Sequence, residues 1–167
     1  MNLTPSQLST YDGSNPDLPI YLSINGTIFD VSAGRHTYGP GGSYSIFAGR
    51  DATRAFVTGC FLEDTTDDMR GAELMYVPVD DDEEVISSAE RKTRAERERR
   101  EARKKVQQEV QKWEDFYRNS KKYFEVGKLV GRGKHDGPPP ELCESVMKSR
   151  PKRSRTKNTA SAQGKPV

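Results

Sequence analysis

Ile20-Tyr-Leu-Ser-Ile24 and Thr27-Ile-Phe-Asp-Val31 meet at Asn25-Gly26, and this junction constrains the fold more than any other feature of the chain. Both residues of a tight two-residue turn need positive φ, which Asn-Gly tolerates and most dipeptides do not. The flanking apolar runs therefore predict two antiparallel strands side by side. Asn25-Gly26-Thr27 also matches a glycosylation sequon, but the turn accounts for those residues.

The elements around the hairpin are short. Thr4, Pro5 and Gln7 have the N-cap, first-turn and capping-box positions of a helical turn. Residues 32–43 read as loop, with Gly34, Gly39, Gly41 and Gly42 around Pro40, followed by a helical turn over 45–48. Asp51 is placed to cap a helix through Ala52, Ala55, Phe56 and Val57 that ends near Gly59. The run Leu74–Val79 reads as extended, and Pro78 keeps it out of a sheet centre. Strands and short helices without a βαβ alternation give an α+β domain.

Of the 167 residues, 32% are apolar and 31% charged, so the whole chain cannot be wrapped around a core. Large apolar residues cluster between Leu3 and Val79 and return between Val106 and Leu129. This predicts one domain over residues 3–131, closed by pieces distant in sequence. It carries a charged helical insertion over about 80–119, and a disordered basic tail fills 132–167.

Ser87-Ser-Ala-Glu90 opens the insertion helix with a capping pattern, and Val106, Val110, Trp113 and Tyr117 form a late apolar stripe. Its first turns are expected to project into solvent and its last to dock on the domain. Such a charged helix has the composition of a coiled coil. The net charge of +2 hides an acidic block at Asp80–Glu84, a basic stretch from Arg91 to Lys105 and a basic tail at Lys148–Arg155. An anionic partner is one reading of this asymmetry, and a solvated helix held by Glu–Arg pairs is the other. No aromatic residues interleave the basic stretch, which argues against specific nucleic-acid binding. The tail run Arg150-Pro-Lys-Arg-Ser-Arg155 reads as a basic tail before it reads as a nuclear-localisation patch.

Cys60 and Cys143 are the two cysteines, one in an apolar helical context and one in the loose tail. That placement predicts reduced thiols and a cytosolic setting. No stretch approaches the ~18 apolar residues of a membrane span. There is no Ser-His-Asp set, phosphate-binding Walker loop or CxxC pair, so the expectation is a non-enzymatic protein.

The chemistry that remains lies in two phenols of the glycine-rich run Tyr38-Gly-Pro-Gly-Gly-Ser-Tyr44. A phenolate is a hard oxygen donor that favours ferric iron, and tyrosine is an axial haem ligand. A packing residue with a hydrogen-bonded hydroxyl is the competing reading of Tyr44.

Three motifs in order now point to a family: Asn25-Gly-Thr-Ile-Phe-Asp-Val31, Tyr38-Gly-Pro-Gly-Gly-Ser-Tyr44 and Phe47-Ala-Gly-Arg-Asp-Ala-Thr-Arg-Ala-Phe56. With Lys122-Tyr-Phe-Glu-Val-Gly-Lys-Leu129 they resemble the membrane-associated progesterone receptor family, a branch of the cytochrome b5-like heme/steroid-binding fold. The long insertion marks a fungal-type member, since the segment is longer than in the animal members. The resemblance implies heme b held by Tyr44 as axial iron ligand, with Tyr38, Lys122 and Tyr123 lining the pocket; for Lys122 a solvated side chain, or a slip of register with Lys121, stays open.

Its further implications are a haem carrier or regulator of haem-thiolate monooxygenases at the endoplasmic reticulum surface, on the cytoplasmic side. Peripheral membrane association and a homodimer are left open. The alternatives are a sterol- or steroid-binding module without haem, and an interaction adaptor working through the charged helix. Ordinary bis-histidine chemistry is disfavoured, because Gly39 stands where its loop has histidine and no histidine lies between His36 and His135. Both histidines read as solvated or hydrogen-bonded rather than ligating.

Overall fold

The computed structural model describes residues 1–82 and 84–155. Four strands form one sheet: β1 (Asn2–Leu3), β2 (Tyr21–Ile24), β3 (Thr27–Asp30) and β4 (Phe124–Leu129), in the order β1-β4-β3-β2. The hairpin forms as its turn dictates, with Ile24 opposite Thr27 and Asn25 at φ 52°. β4 arrives from the far end of the chain to pair antiparallel with β3, and β1 lies parallel to it, Leu3 opposite Leu129. The domain is thus closed by residues more than a hundred positions apart.

Side chains alternate across the sheet with period two. Leu22, Ile24, Phe29 and Val31 join Tyr38, Phe47, Ala52, Ala55 and Tyr117 in the larger core. Tyr21 and Ile28 face the other way, onto Leu3, Leu8 and Leu129. α1 (Pro5–Leu8) has the expected capping box between Thr4 and Gln7, and it seats Leu8 on that second core.

α2 (Arg35–Tyr38) and a 3-10 turn at Ser45–Phe47 bracket the glycine-rich loop, and α3 (Thr53–Thr58) follows. Asp51 lies one residue outside the cap of α3, yet its carboxylate accepts from the Thr53 amide at 3.0 Å. It also accepts from the Ser23 hydroxyl at 2.7 Å and the Gly26 amide at 3.0 Å, tying the start of α3 to the hairpin turn. The expected extended run at 74–79 is in part a 3-10 turn, Ala72–Tyr76, before Val79 bridges to Lys152.

α4 (Ser88–Arg118) is 31 residues long, with the Ser87 hydroxyl capping it through the Glu90 amide. Its last turns dock as expected, burying Tyr117. Its first turns do not project freely. Arg94 pairs with Glu84 and Glu98, and Arg153 reaches Glu98 at 2.9 Å and Asp80 at 2.5 Å. Ala102 is buried and the Lys105 ammonium lies 5.8 Å from the Tyr76 ring centroid. The acidic block and the basic tail, separate features in the sequence, meet on one side of α4.

The stretch 132–155 is where the fold departs furthest from expectation. A short helix, α5 (Glu144–Ser149), lies in the region read as disordered tail, and Arg150 donates to the Val77 carbonyl at 2.9 Å. Cys60 and Cys143, expected as reduced thiols, are joined in a disulfide across 83 residues. The cause is a buried cation. The Arg54 side chain is fully enclosed, pairs with Asp64 at 3.2 Å, and donates to the carbonyls of Asp68, Arg70 and Pro140. Arg70 similarly donates to the Gly137 carbonyl at 2.9 Å. These bonds fold the proline-rich segment back and bring Cys143 to Cys60, where Val146, Met75 and Leu142 complete a small apolar cluster. Residues 156–167 of the expected tail lie outside the described residues.

Candidate tyrosine-ligand site

The loop that carries Tyr44 is drawn tight by its own backbone. The Gly39 amide donates to the Arg35 carbonyl at 2.7 Å, the Gly42 amide to that of Gly39 at 2.9 Å, and the Tyr44 amide to that of Thr37 at 2.9 Å. Gly42 lies so close to the preceding turn that a Cβ there would stand 2.2 Å from the Thr37 carbonyl oxygen. Only glycine permits this reversal, and it sets Tyr44 on the rim of the larger core.

Tyr44 is 41% exposed, with its ring 6.0 Å from Tyr38, 5.9 Å from Phe47 and 5.8 Å from Phe61. Its hydroxyl has no hydrogen-bond partner among the described residues. Tyr38 has the opposite environment. It is 4% exposed, and its hydroxyl lies 2.6 Å from that of Tyr117. Burial pushes Tyr38 up to about 12, against the smaller lowering effect of the Tyr117 hydrogen bond. Burial also raises Tyr117 far above the ordinary phenol range, and the neighbouring Tyr38 adds to the shift. The two phenols therefore differ in kind: Tyr38 is an internal, neutral hydroxyl and Tyr44 is an open one.

Tyr123 closes the cluster, edge-on to Tyr38 at 5.8 Å and 5.8 Å from Tyr117. It is held by Ser120, whose hydroxyl accepts from the amides of Lys122 at 3.0 Å and Tyr123 at 3.2 Å. The structure thus brings Tyr38, Tyr44 and Tyr123 together. Lys122 is beside them in sequence but exposed, and its ammonium enters no ion pair among the described residues. His36 is exposed, and His135 is engaged with Asp67 at 2.7 Å. Tyr117, Phe61 and Gly34 were not among the sequence-based site residues. Tyr117 gave only the signal of a docking stripe, and Gly34 that of a loop.

These residues fit a haem held by oxygen. An open phenol can meet a metal without first losing a protein partner, and Phe47, Phe61 and Tyr38 give it an aromatic wall suited to a flat apolar ring. A cleft of about 520 Å³ lies elsewhere, on the Leu8 and Leu129 side of the sheet, with Arg50, Asp51, Arg132 and Lys134 among its lining.

Residues 4–130 match the family model described as the cytochrome b5-like Heme/Steroid binding domain. The chain belongs to this family. Among curated relatives, this heme/steroid-binding domain is 39% identical to the membrane-associated progesterone-binding protein 4 of Arabidopsis thaliana over 127 residues, which is 75% of this chain and 39% of the relative. It is 37% identical to Homo sapiens neuferricin over 142 residues, 84% of this chain and 42% of the relative. The chain spans about two-fifths of the length of these relatives. A solved structure of an Arabidopsis thaliana protein with a cytochrome b5-like fold matches with a TM-score of 0.51 at 30% identity, over 78% of this chain and 92% of that one.

Proposed function

We propose that this domain binds heme b with the Tyr44 phenolate as axial iron ligand and serves as a haem carrier or regulator, not an enzyme. The observation that carries this reading is the contrast between Tyr44, open and without a hydroxyl partner, and the buried hydrogen-bonded pair Tyr38–Tyr117 beside it. When bound, the haem would supply a ferric iron centre for Tyr44 to hold. Tyr44 would hold the iron, Phe47 and Phe61 would exclude water from the phenol's apolar flank, and the Tyr38 ring, 6.0 Å away, would add to that wall. Tyr123 packs behind Tyr38 and keeps it in place. Lys122, exposed and next to Tyr123 in the chain, would pair with a propionate.

By family, the partners are haem-thiolate monooxygenases of sterol metabolism, at a membrane surface. No described helix is long and apolar enough to cross a membrane. The Cys60–Cys143 disulfide supports an oxidising compartment over the cytosolic side.

Hemin titration tests the reading. The expected result is one haem per chain with a ferric high-spin spectrum, lost in Tyr44→Phe. A Tyr44→Phe protein that binds haem equally tightly with the same spectrum would overturn it. Progesterone-type sterol binding by a protein that ignores hemin would replace haem with the other ligand in the family's description.

A further inference from the structure

The first half of α4 has two sides of different charge character. Arg94, Glu98, Ala102 and Lys105 recur at helical spacing and face the protein. On that side Arg94 pairs with Glu84 and Glu98, Arg153 also reaches Glu98, Ala102 is buried and Lys105 lies over the Tyr76 ring. The outer side carries two rows of cations, Lys92, Arg99 and Arg103 beside Arg97, Arg100 and Lys104. All of them are exposed, and none of their side chains has a hydrogen bond or ion pair among the described residues. Glu96 and Glu101 are the acids left in this span, and neither pairs with a cation among the described residues. Helices of mixed charge gain stability from pairs at i,i+3 and i,i+4. This half of α4 forms such a pair on its inner side, Arg94 with Glu98, and leaves its outer rows open. Residues 156–167 contain no Asp or Glu, so they cannot neutralise those rows.

We propose that the outer face of α4, from Lys92 to Lys104, docks a linear polysaccharide bearing sulfate or carboxylate groups. From Lys92 to Lys104 the rows run about 18 Å at the rise of an α-helix, which suits a chain whose negative charges repeat along its length. Arginine predominates in them, and its planar guanidinium takes two oxygens of one oxyanion at once. No large apolar residue stands between Ser88 and Lys105, so this half of α4 has nothing to insert into a lipid layer. No aromatic residue stands among the cations to stack on a base. The Cys60–Cys143 disulfide is the second argument. Such bonds belong to secreted proteins, cell surfaces and the secretory lumen, which lie across the membrane from nucleic acid and from the anionic cytoplasmic leaflet. Acidic polysaccharide is the extended polyanion of those compartments. The surface lies on the first half of α4 and the tyrosine cluster meets its last turns, so the proposal stands apart from the haem reading.

Heparin is the probe. The full chain is expected to leave immobilised heparin at clearly higher salt than a sulfonate resin, which offers the charge without the sugar chain. Arg99→Glu with Arg103→Glu should weaken heparin binding about tenfold in titration calorimetry, because two exposed attractions become repulsions. Lys121→Glu with Lys134→Glu makes the same change of net charge on exposed lysines away from α4. That pair should weaken binding less than about twofold, since charges beyond a Debye length of about 8 Å are screened at physiological ionic strength. None of these four side chains has a polar partner among the described residues, so both variants should keep the fold, as circular dichroism would check. Arg99→Gln with Arg103→Gln should act in the same direction with a smaller loss, and serves if the charge reversal unfolds the chain. Elution from both resins at the same salt, or equal losses in the two charge-reversed variants, would reduce the surface to overall charge and overturn the proposal. Binding to phosphatidylserine vesicles or to random-sequence duplex DNA as tight as to heparin, at the same salt, would also overturn it.

Discussion

Phe61 packs edge-on against Tyr44 with ring centroids 5.8 Å apart, and the residue before it, Cys60, is bonded to Cys143. One wall of the proposed haem site is therefore anchored to the far end of the described chain. The disulfide, the buried Arg54 and α5 form one assembly that holds the segment 137–150 against α3 and the 3-10 turn that follows it.

Breaking the disulfide should loosen that assembly. Removing a native disulfide costs about 2–5 kcal/mol, and the 83-residue separation here places the effect toward the upper end of a chain-entropy account. Cys143→Ser is expected to lower the urea midpoint and to expose residues 137–150 to limited proteolysis while the sheet stays intact. Alkylation of the native protein under denaturing, non-reducing conditions should label neither cysteine. Labelling of both would show that the thiols are free.

Arg54 is the second fastening. Its guanidinium is fully enclosed with Asp64, and its remaining donors serve three backbone carbonyls. Removing one member of such a pair leaves a buried charge without compensation, which costs about 3–5 kcal/mol. Arg54→Met should approach that loss in equilibrium denaturation. Arg54→Met with Asp64→Leu should recover part of it, because the stranded carboxylate is gone. If the double variant is less stable than the single one, the ion pair is not the source of the effect.

The sequence made the hairpin and the glycine-rich loop readable because both depend on local backbone needs. Asn25-Gly26 requires positive φ, and the loop glycines require close backbone approach, so residue type and conformation are tied one to one. β1 escaped notice because two residues beside the terminus carry no periodicity, and only pairing with Leu129 makes Leu3 a strand residue. The fold-back of 132–155 escaped for a different reason. Its anchors are carbonyls of Gly137 and Pro140 that accept from the half-exposed Arg70 and the buried Arg54, and a carbonyl has no signature in composition. Tyr117 was legible as core but not as part of the site, since its meaning lies in a hydroxyl contact with a residue 79 positions away.

Acid should release the clasp on α4 before the sheet. The Arg153 guanidinium beside Asp80 holds its carboxyl below the usual carboxylate range, and Ser154 does the same for Asp81. Within the core loop, Arg70 lowers Asp68. Carboxyls depressed in the folded state contribute stability above their unfolded pKa, about 3.9. That contribution is lost as pH falls through the lower folded values. Stability should therefore be level between about pH 5 and 8 and decline below about pH 4. Residues 151–155 should detach first, because Asp80 and Asp81 are solvent-exposed and screened. Hydrogen exchange over that segment as a function of pH should show the step, and Asp80→Asn should remove much of it. A segment equally protected at pH 3 and pH 7 would sink the prediction.

Gly34 offers the sharpest test of how the tyrosines are packed. Its φ of −105° suits any residue, so alanine brings no backbone strain. A Cβ there would, however, stand 2.6 Å from Tyr123 Oη and 3.2 Å from Tyr38 Cδ2. The first of these is closer than atoms can approach, so Tyr123 must move, and it packs on both Tyr38 and Tyr117. Overpacking of this kind costs about 1–3 kcal/mol. Gly34→Ala is expected to lose stability in that range and to weaken haem binding with it. Because the nearest atom is the hydroxyl oxygen, the same substitution in a Tyr123→Phe background should cost clearly less. Denaturation and hemin titration of the two singles and the double form a complete cycle. An equal loss in both backgrounds would mean that the alanine disturbs Tyr38 directly, and that Tyr123 is not the residue Gly34 makes room for.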